Sequence, residues 1–71
     1  MARTKSLSRH IRKTRQTLGL TVADVAGDVG VSAVSIYYWE SGRVRPRDSN
    51  LTALCKVLRL PVRATMELTG K

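Results

Sequence analysis

Between Thr21 and Gly42 the sequence reads "TVADVAGDVGVSAVSIYYWESG", and these 22 residues carry two helix starts and two helix stops. Thr21 and Ser32 can each accept a hydrogen bond from the free N–H groups of a first helical turn, and Gly30 and Gly42 can take the left-handed conformation that ends a helix. The short helices so bounded, residues 22–29 and 33–41, have only "GVS" between them. Two helices joined by a three-residue turn containing Gly form a helix-turn-helix, which leaves few ways to complete a small domain around them.

The rest of the chain supplies the completion. A first helix is expected from about Leu7 to Leu18, with Leu7, Ile11, Thr14 and Leu18 at helical spacing, Ser6 or Ser8 as its cap and Gly19 just past its end. In the second helix Val22, Val25, Ala26 and Val29 form the apolar stripe, while Gly27 costs up to about 1 kcal/mol relative to Ala. After the basic loop "RVRPRDS", Asp48 to Asn50 offer caps for a fourth helix running to about Leu60. Its Leu51, Leu54, Cys55 and Leu58 fall on one core-facing stripe. Pro61 suits the first turn of a fifth helix through Leu68, whose Val62, Met66 and Leu68 are available to the core or to a second subunit. The expected fold is all-α, a compact bundle of five short helices with the helix-turn-helix in helices 2 and 3. It occupies residues 7–68 behind a flexible basic arm, residues 1–6.

At 71 residues the chain holds one core and not two. A single cysteine excludes an internal disulfide, and no Cys/His cluster has metal-ligand spacing, so the fold rests on apolar packing in a reducing, cytoplasmic compartment. No apolar run approaches a membrane span, and "MARTKSLSRH" lacks the apolar segment of a signal peptide. Thirteen Lys and Arg against five Asp and Glu give a formal charge of +8, which points to a polyanionic partner. Nucleic acid and an anionic membrane surface both meet that description. An interfacial helix needs a broad apolar face, however, and here the candidate helix is short and half committed to the core.

The third helix decides between them. Advancing about 100° per residue sets Ser35, Ile36 and Trp39 on one face and Ala33, Val34, Tyr37, Tyr38 and Ser41 on another. Ile36 and Trp39 can pack against Val25, Val29 and Val31, which leaves Ala33, Val34, Tyr37 and Tyr38 without a core to enter. A contiguous exposed apolar patch on a small domain binds something, and Arg43, Arg45 and Arg47 follow directly after it. A helix about 10–12 Å across fits the major groove of double-stranded DNA, with its outer side chains at base edges and flanking groups at phosphates.

The span "IRKTRQTLGLTVADVAGDVGVSAVSIYYWESGRVRP" with "LTALCKVL" after it resembles the Xre/Cro/C1-type helix-turn-helix repressors of the lambda-repressor-like fold. The resemblance implies a five-helix DNA-binding domain, usually a two-fold homodimer on a palindromic operator. It implies that Arg15 and Glu40 pair internally and orient the arginine toward phosphate. Ala33, Val34 and Tyr38, with Tyr37 at the margin, match base-reaching positions, and Thr21, Ser41, Arg43 and Arg45 match phosphate contacts. Arg47 joins the phosphate set through its place in the basic loop. Two departures stand out. Val22 occupies a position where the family often has a phosphate-bonding Gln, and the reading face is apolar and aromatic where the family is commonly polar. Bidentate readout of guanine or adenine is not available from Ala, Val and two Tyr, so thymine methyls become the expected targets.

The plainer readings stay beside these. The tyrosines and Val34 could cover a dimer partner, or bind another protein as an antitoxin or polymerase-binding regulator does, which makes a protein co-regulator the second partner class. Arg43, Arg45 and Arg47 could be a solvated charge run. His10 reads as an exposed helix residue and Cys55 as a small core residue. One His, one Cys and five scattered carboxylates assemble no catalytic constellation, so no enzyme activity, cofactor or metal is expected.

Overall fold

A computed structural model describes the backbone of residues 3–67 and the side chains of residues 7–65. Five helices follow one another: α1 (Arg3–Thr17), α2 (Val22–Val29), α3 (Ala33–Ser41), α4 (Asp48–Leu58) and α5 (Val62–Glu67). The fold is all-α, as the periodicity predicts.

α2 and α3 have the bounds set by their caps. Thr21 Oγ1 accepts the Asp24 N–H at 3.0 Å and the Asp24 carboxylate accepts the Thr21 N–H at 2.9 Å, a reciprocal capping box. Ser32 Oγ accepts the Ser35 N–H at 3.3 Å. Gly30 and Gly42 end the two helices at φ 89° and 79°. Past Gly42 the Arg43 N–H reaches back to the Tyr38 carbonyl at 3.1 Å, which fixes the direction in which the basic loop leaves α3.

The other helices depart from expectation at their ends. α1 begins at Arg3 and not near Leu7, so residues 3–6 of the expected arm are drawn into the helix. "RTKS" contains no Gly or Pro to stop it, and Ser6 and Ser8 lie within the helix instead of capping it. Met1 and Ala2 lie outside the described residues. α1 also ends one residue early, at Thr17. Gly19, at φ 73°, donates to the Gln16 carbonyl and Leu20 donates to that of Arg15, so the chain reverses there. Leu18, expected in the core stripe, is therefore 39% exposed, and Leu20 packs against the core in its place.

α4 stops at Leu58, two residues short, because Arg59 adopts a left-handed conformation at φ 59° and the Leu60 N–H closes onto the Cys55 carbonyl. Its cap is Arg47, with no side-chain capping bond, and Asp48 is the first helical residue, where its charge favours the positive helix end. Pro61 precedes α5 instead of opening its first turn, and its carbonyl accepts the Thr65 N–H at 3.0 Å. The expected α5 contacts of Met66 and Leu68 fall outside the described side chains.

Leu7 and Ile11 of α1, Val25 and Ala26 of α2, Ile36 and Trp39 of α3, and Leu51, Leu54, Cys55 and Leu58 of α4 form one buried cluster. α3 packs on both α1 and α2, α2 rests on α4, and α5 closes the far side of α4. Burial pushes the Cys55 thiol above its ordinary pKa, opposed in part by a hydrogen bond with Thr65, so it sits in the core as a neutral thiol. Among the described residues no buried side-chain polar atom lacks a partner, and no helix is long and apolar enough to cross a membrane.

Candidate nucleic-acid interface

The two faces of α3 separate as the helical angles require. Ile36 and Trp39 are buried, whereas Val34, Tyr37 and Tyr38 are 55%, 59% and 42% exposed. Ala33 does not share that exposure: it is half-buried and packs against the core. The outward apolar surface of α3 is thus three large side chains, with Ala33 at its edge.

Behind this surface, Arg15 binds three elements together. Its Nε donates to Glu40 Oε2 at 2.6 Å and its Nη2 to Glu40 Oε1 at 3.0 Å, a fork that fits the carboxylate. Its Nη1 donates to the Leu20 carbonyl at 2.9 Å. One guanidinium on α1 therefore holds the turn into α2 and the last turn of α3. The two side chains are only 13% and 7% exposed. Hydrogen bonding to the Glu40 carboxylate keeps the Arg15 pKa above its ordinary value despite opposing desolvation, so the guanidinium stays charged. Pairing was legible in the sequence through the resemblance; the Leu20 contact was not, since it depends on how the chain reverses at Gly19.

The remaining predicted residues fall into smaller groups. Arg43 lies over the Tyr38 ring, 6.0 Å from its centroid, a cation–π arrangement that gathers the loop arginine against the exposed face of α3. The Ser41 hydroxyl donates to the Tyr38 carbonyl at 3.0 Å, so its proton is engaged within the helix. Arg45 stands 3.9 Å from the Asp48 carboxylate, an exposed pair of little energetic weight. Arg47 is exposed at the start of α4. Thr21 sits at the start of α2 beside Asp24, whose pKa is lowered by the Thr21 backbone N–H and then by the Thr21 side chain. That carboxylate places a negative charge at the helix end where an anion would otherwise be welcome.

Arg12 is the functional candidate that sequence reasoning passed over. With Arg15, Tyr37, Glu40 and Ser41 it lines an open cleft of about 260 Å³ between α1 and α3. The signal was present in the spacing, because Arg12 and Arg15 lie one helical turn apart and share a face. Among the described residues no group of His, Cys, Asp and Glu could hold a metal ion.

A helix-turn-helix domain family matches residues 6–68, nearly the whole chain. The chain belongs to this helix-turn-helix family, and the match supports DNA binding through the α2–α3 unit. No curated protein and no solved structure was found to match.

Proposed function

We propose that the protein is a cytoplasmic, non-enzymatic transcriptional regulator of the Xre/Cro/C1 type, most simply a repressor, that binds an inverted-repeat operator as a homodimer. The observation that carries this reading is the exposed Val34, Tyr37 and Tyr38 surface on a helix whose opposite face is locked in the core. α3 enters the major groove, Val34 and the tyrosines meet thymine methyls and base edges with Ala33 at the margin, and the tyrosine phenols supply hydrogen bonds. Arg43, Arg45 and Arg47, with the Thr21 hydroxyl and the N–H groups of Arg15 not spent on Glu40 and Leu20, lie at backbone phosphates, and Ser41 joins them once its hydroxyl proton turns from the Tyr38 carbonyl to a phosphate oxygen. Two copies on one side of the duplex put half-site centres about 34–36 Å apart.

Selection of duplexes from a random pool tests this directly. Enrichment of an inverted repeat with thymines at fixed steps in each half-site is the expected result, and enrichment of a single unrepeated half-site overturns the dimer. A second reading is favoured by the same three exposed apolar side chains: the surface docks a protein, such as a co-regulator. Absence of duplex binding at about 0.1 M salt would decide for it, since contacts to phosphate make DNA affinity fall with salt but do not abolish it there.

A further inference from the structure

Arg12 is exposed on α1, one turn ahead of Arg15, and the cleft it borders is unevenly charged. Both Glu40 oxygens are taken by Arg15, and Arg15 spends one N–H of each of its three nitrogens on Glu40 and Leu20, so the charges of this pair offset each other. Arg12 has no ion pair or hydrogen bond among the described residues. The cleft's net charge is therefore that of Arg12, and the phenol of Tyr37 and the hydroxyl of Ser41 line the same space.

The cleft is smaller than a drug-sized ligand site and open on one side, dimensions that suit a phosphate group on a larger molecule. Its place in the fold says which molecule. Tyr37 belongs both to the cleft and to the outward surface of α3, and α1 packs directly alongside α3. A helix seated in the major groove nearly fills its width, so groups beside that helix meet the phosphates of the groove wall. We infer that the α1–α3 cleft seats one backbone phosphate of the bound duplex, held by Arg12 and the Tyr37 phenol, with the Arg15–Glu40 pair as its rigid back wall. This rests on the duplex-binding reading above and adds a phosphate contact from α1 that fixes how far α3 can roll in the groove.

The test compares Arg12→Ala with Lys13→Ala on the selected duplex and on random duplex. Lys13 is also exposed on α1 but does not line the cleft, so both variants remove one positive charge and only one removes the seat. Arg12→Ala is expected to reduce the slope of log affinity against log salt by about 0.9, which makes the loss between 50 and 200 mM salt about 3.5-fold smaller. Lys13→Ala should leave the slope near that of the parent. Ethylation of single phosphates on the duplex gives a second readout independent of the variants' folding: one position should weaken the parent protein and be silent for Arg12→Ala. Equal slopes for the two variants, or no ethylation site whose effect depends on Arg12, overturn the inference. Failure of the parent protein to bind any duplex overturns the wider reading instead.

Discussion

Arg15 and Glu40 lie 25 residues apart in the chain and meet through two hydrogen bonds of 2.6 and 3.0 Å, with both side chains largely withdrawn from solvent. Because the same guanidinium holds the Leu20 carbonyl, the pair sets the orientation of α3 against α1 and the turn into α2. Removing one partner strands a charge in a site that water reaches poorly, which costs far more than the net worth of the intact pair.

Glu40→Ala is therefore expected to destabilise the domain by about 3 kcal/mol, read as a fall in melting temperature on the order of 10–20 °C for a domain of this size. The double variant Arg15→Met/Glu40→Leu should regain much of that loss, since two apolar side chains leave no orphaned charge. Urea denaturation of the parent and the two variants checks both statements. A single-variant cost below about 0.5 kcal/mol would reduce the pair to an ordinary surface contact.

The two glycines of α2 should respond to alanine in opposite directions. Gly27 is in the helix interior, exposed, with nothing within 4 Å of where a Cβ would sit, so Gly27→Ala is expected to stabilise by about 0.5–1 kcal/mol. Gly30 also has open space around it, but its φ of +89° is one that L side chains avoid. Gly30→Ala should destabilise by about 1–2 kcal/mol. Thermal denaturation of the two variants separates backbone conformation from packing, because packing is absent at both sites; a shift of the same sign in both would contradict the assignment.

What was legible in the sequence follows from the range of the forces involved. Thr21, Gly30, Ser32 and Gly42 act on the next few residues, so they place α2 and α3 without reference to the rest of the fold. Leu18 and Leu20 have the same side chain, and only the reversal at Gly19 decides that the second is the one packed inward. Arg59 ends α4 in a conformation usually left to glycine, so residue type gave no warning. The exposed set on α3 was readable from helical angles, except that Ala33 is half-buried against the core, a packing that the angles alone do not give. The spacing of Arg12 and Arg15 set both on one face of α1, but the cleft itself needed the packing of α1 on α3, which no local pattern encodes.

The α2 capping box carries a pH dependence. The folded-state pKa of Asp24 lies below the ordinary aspartate value, first through the Thr21 backbone N–H and then through the Thr21 side chain. A depressed carboxylate contributes stability that is present above the unfolded pKa and is lost as pH falls through the folded one. Asp24→Asn keeps a neutral acceptor and removes the charge, so the variant should melt below the parent at neutral pH and approach it as the solution is acidified below about 4. Melting curves across that range check the sign; a gap that widens on acidification would rule out the capping box as its source.

On DNA, the residues of the α3 surface and the loop should separate by what they touch. Arg43 is held over the Tyr38 ring, so Tyr38→Ala removes an exposed side chain of the proposed reading surface and also frees the arginine beside it. The expected loss is about 1–3 kcal/mol on the selected site with little change on random duplex, whereas Arg45→Ala should weaken both together and lower the salt slope by about 0.9. Tyr38→Phe keeps the ring under Arg43 and removes only the phenol, so it distinguishes stacking from hydrogen bonding. For Val34, exposed and without a polar atom on its side chain, the only base feature within its chemistry is a thymine methyl. Replacing the contacted thymine by uracil should weaken the parent protein and leave Val34→Ala nearly unaffected. Equal sensitivity of both proteins to that substitution would remove Val34 from the reading surface and shift the weight to the protein-docking alternative.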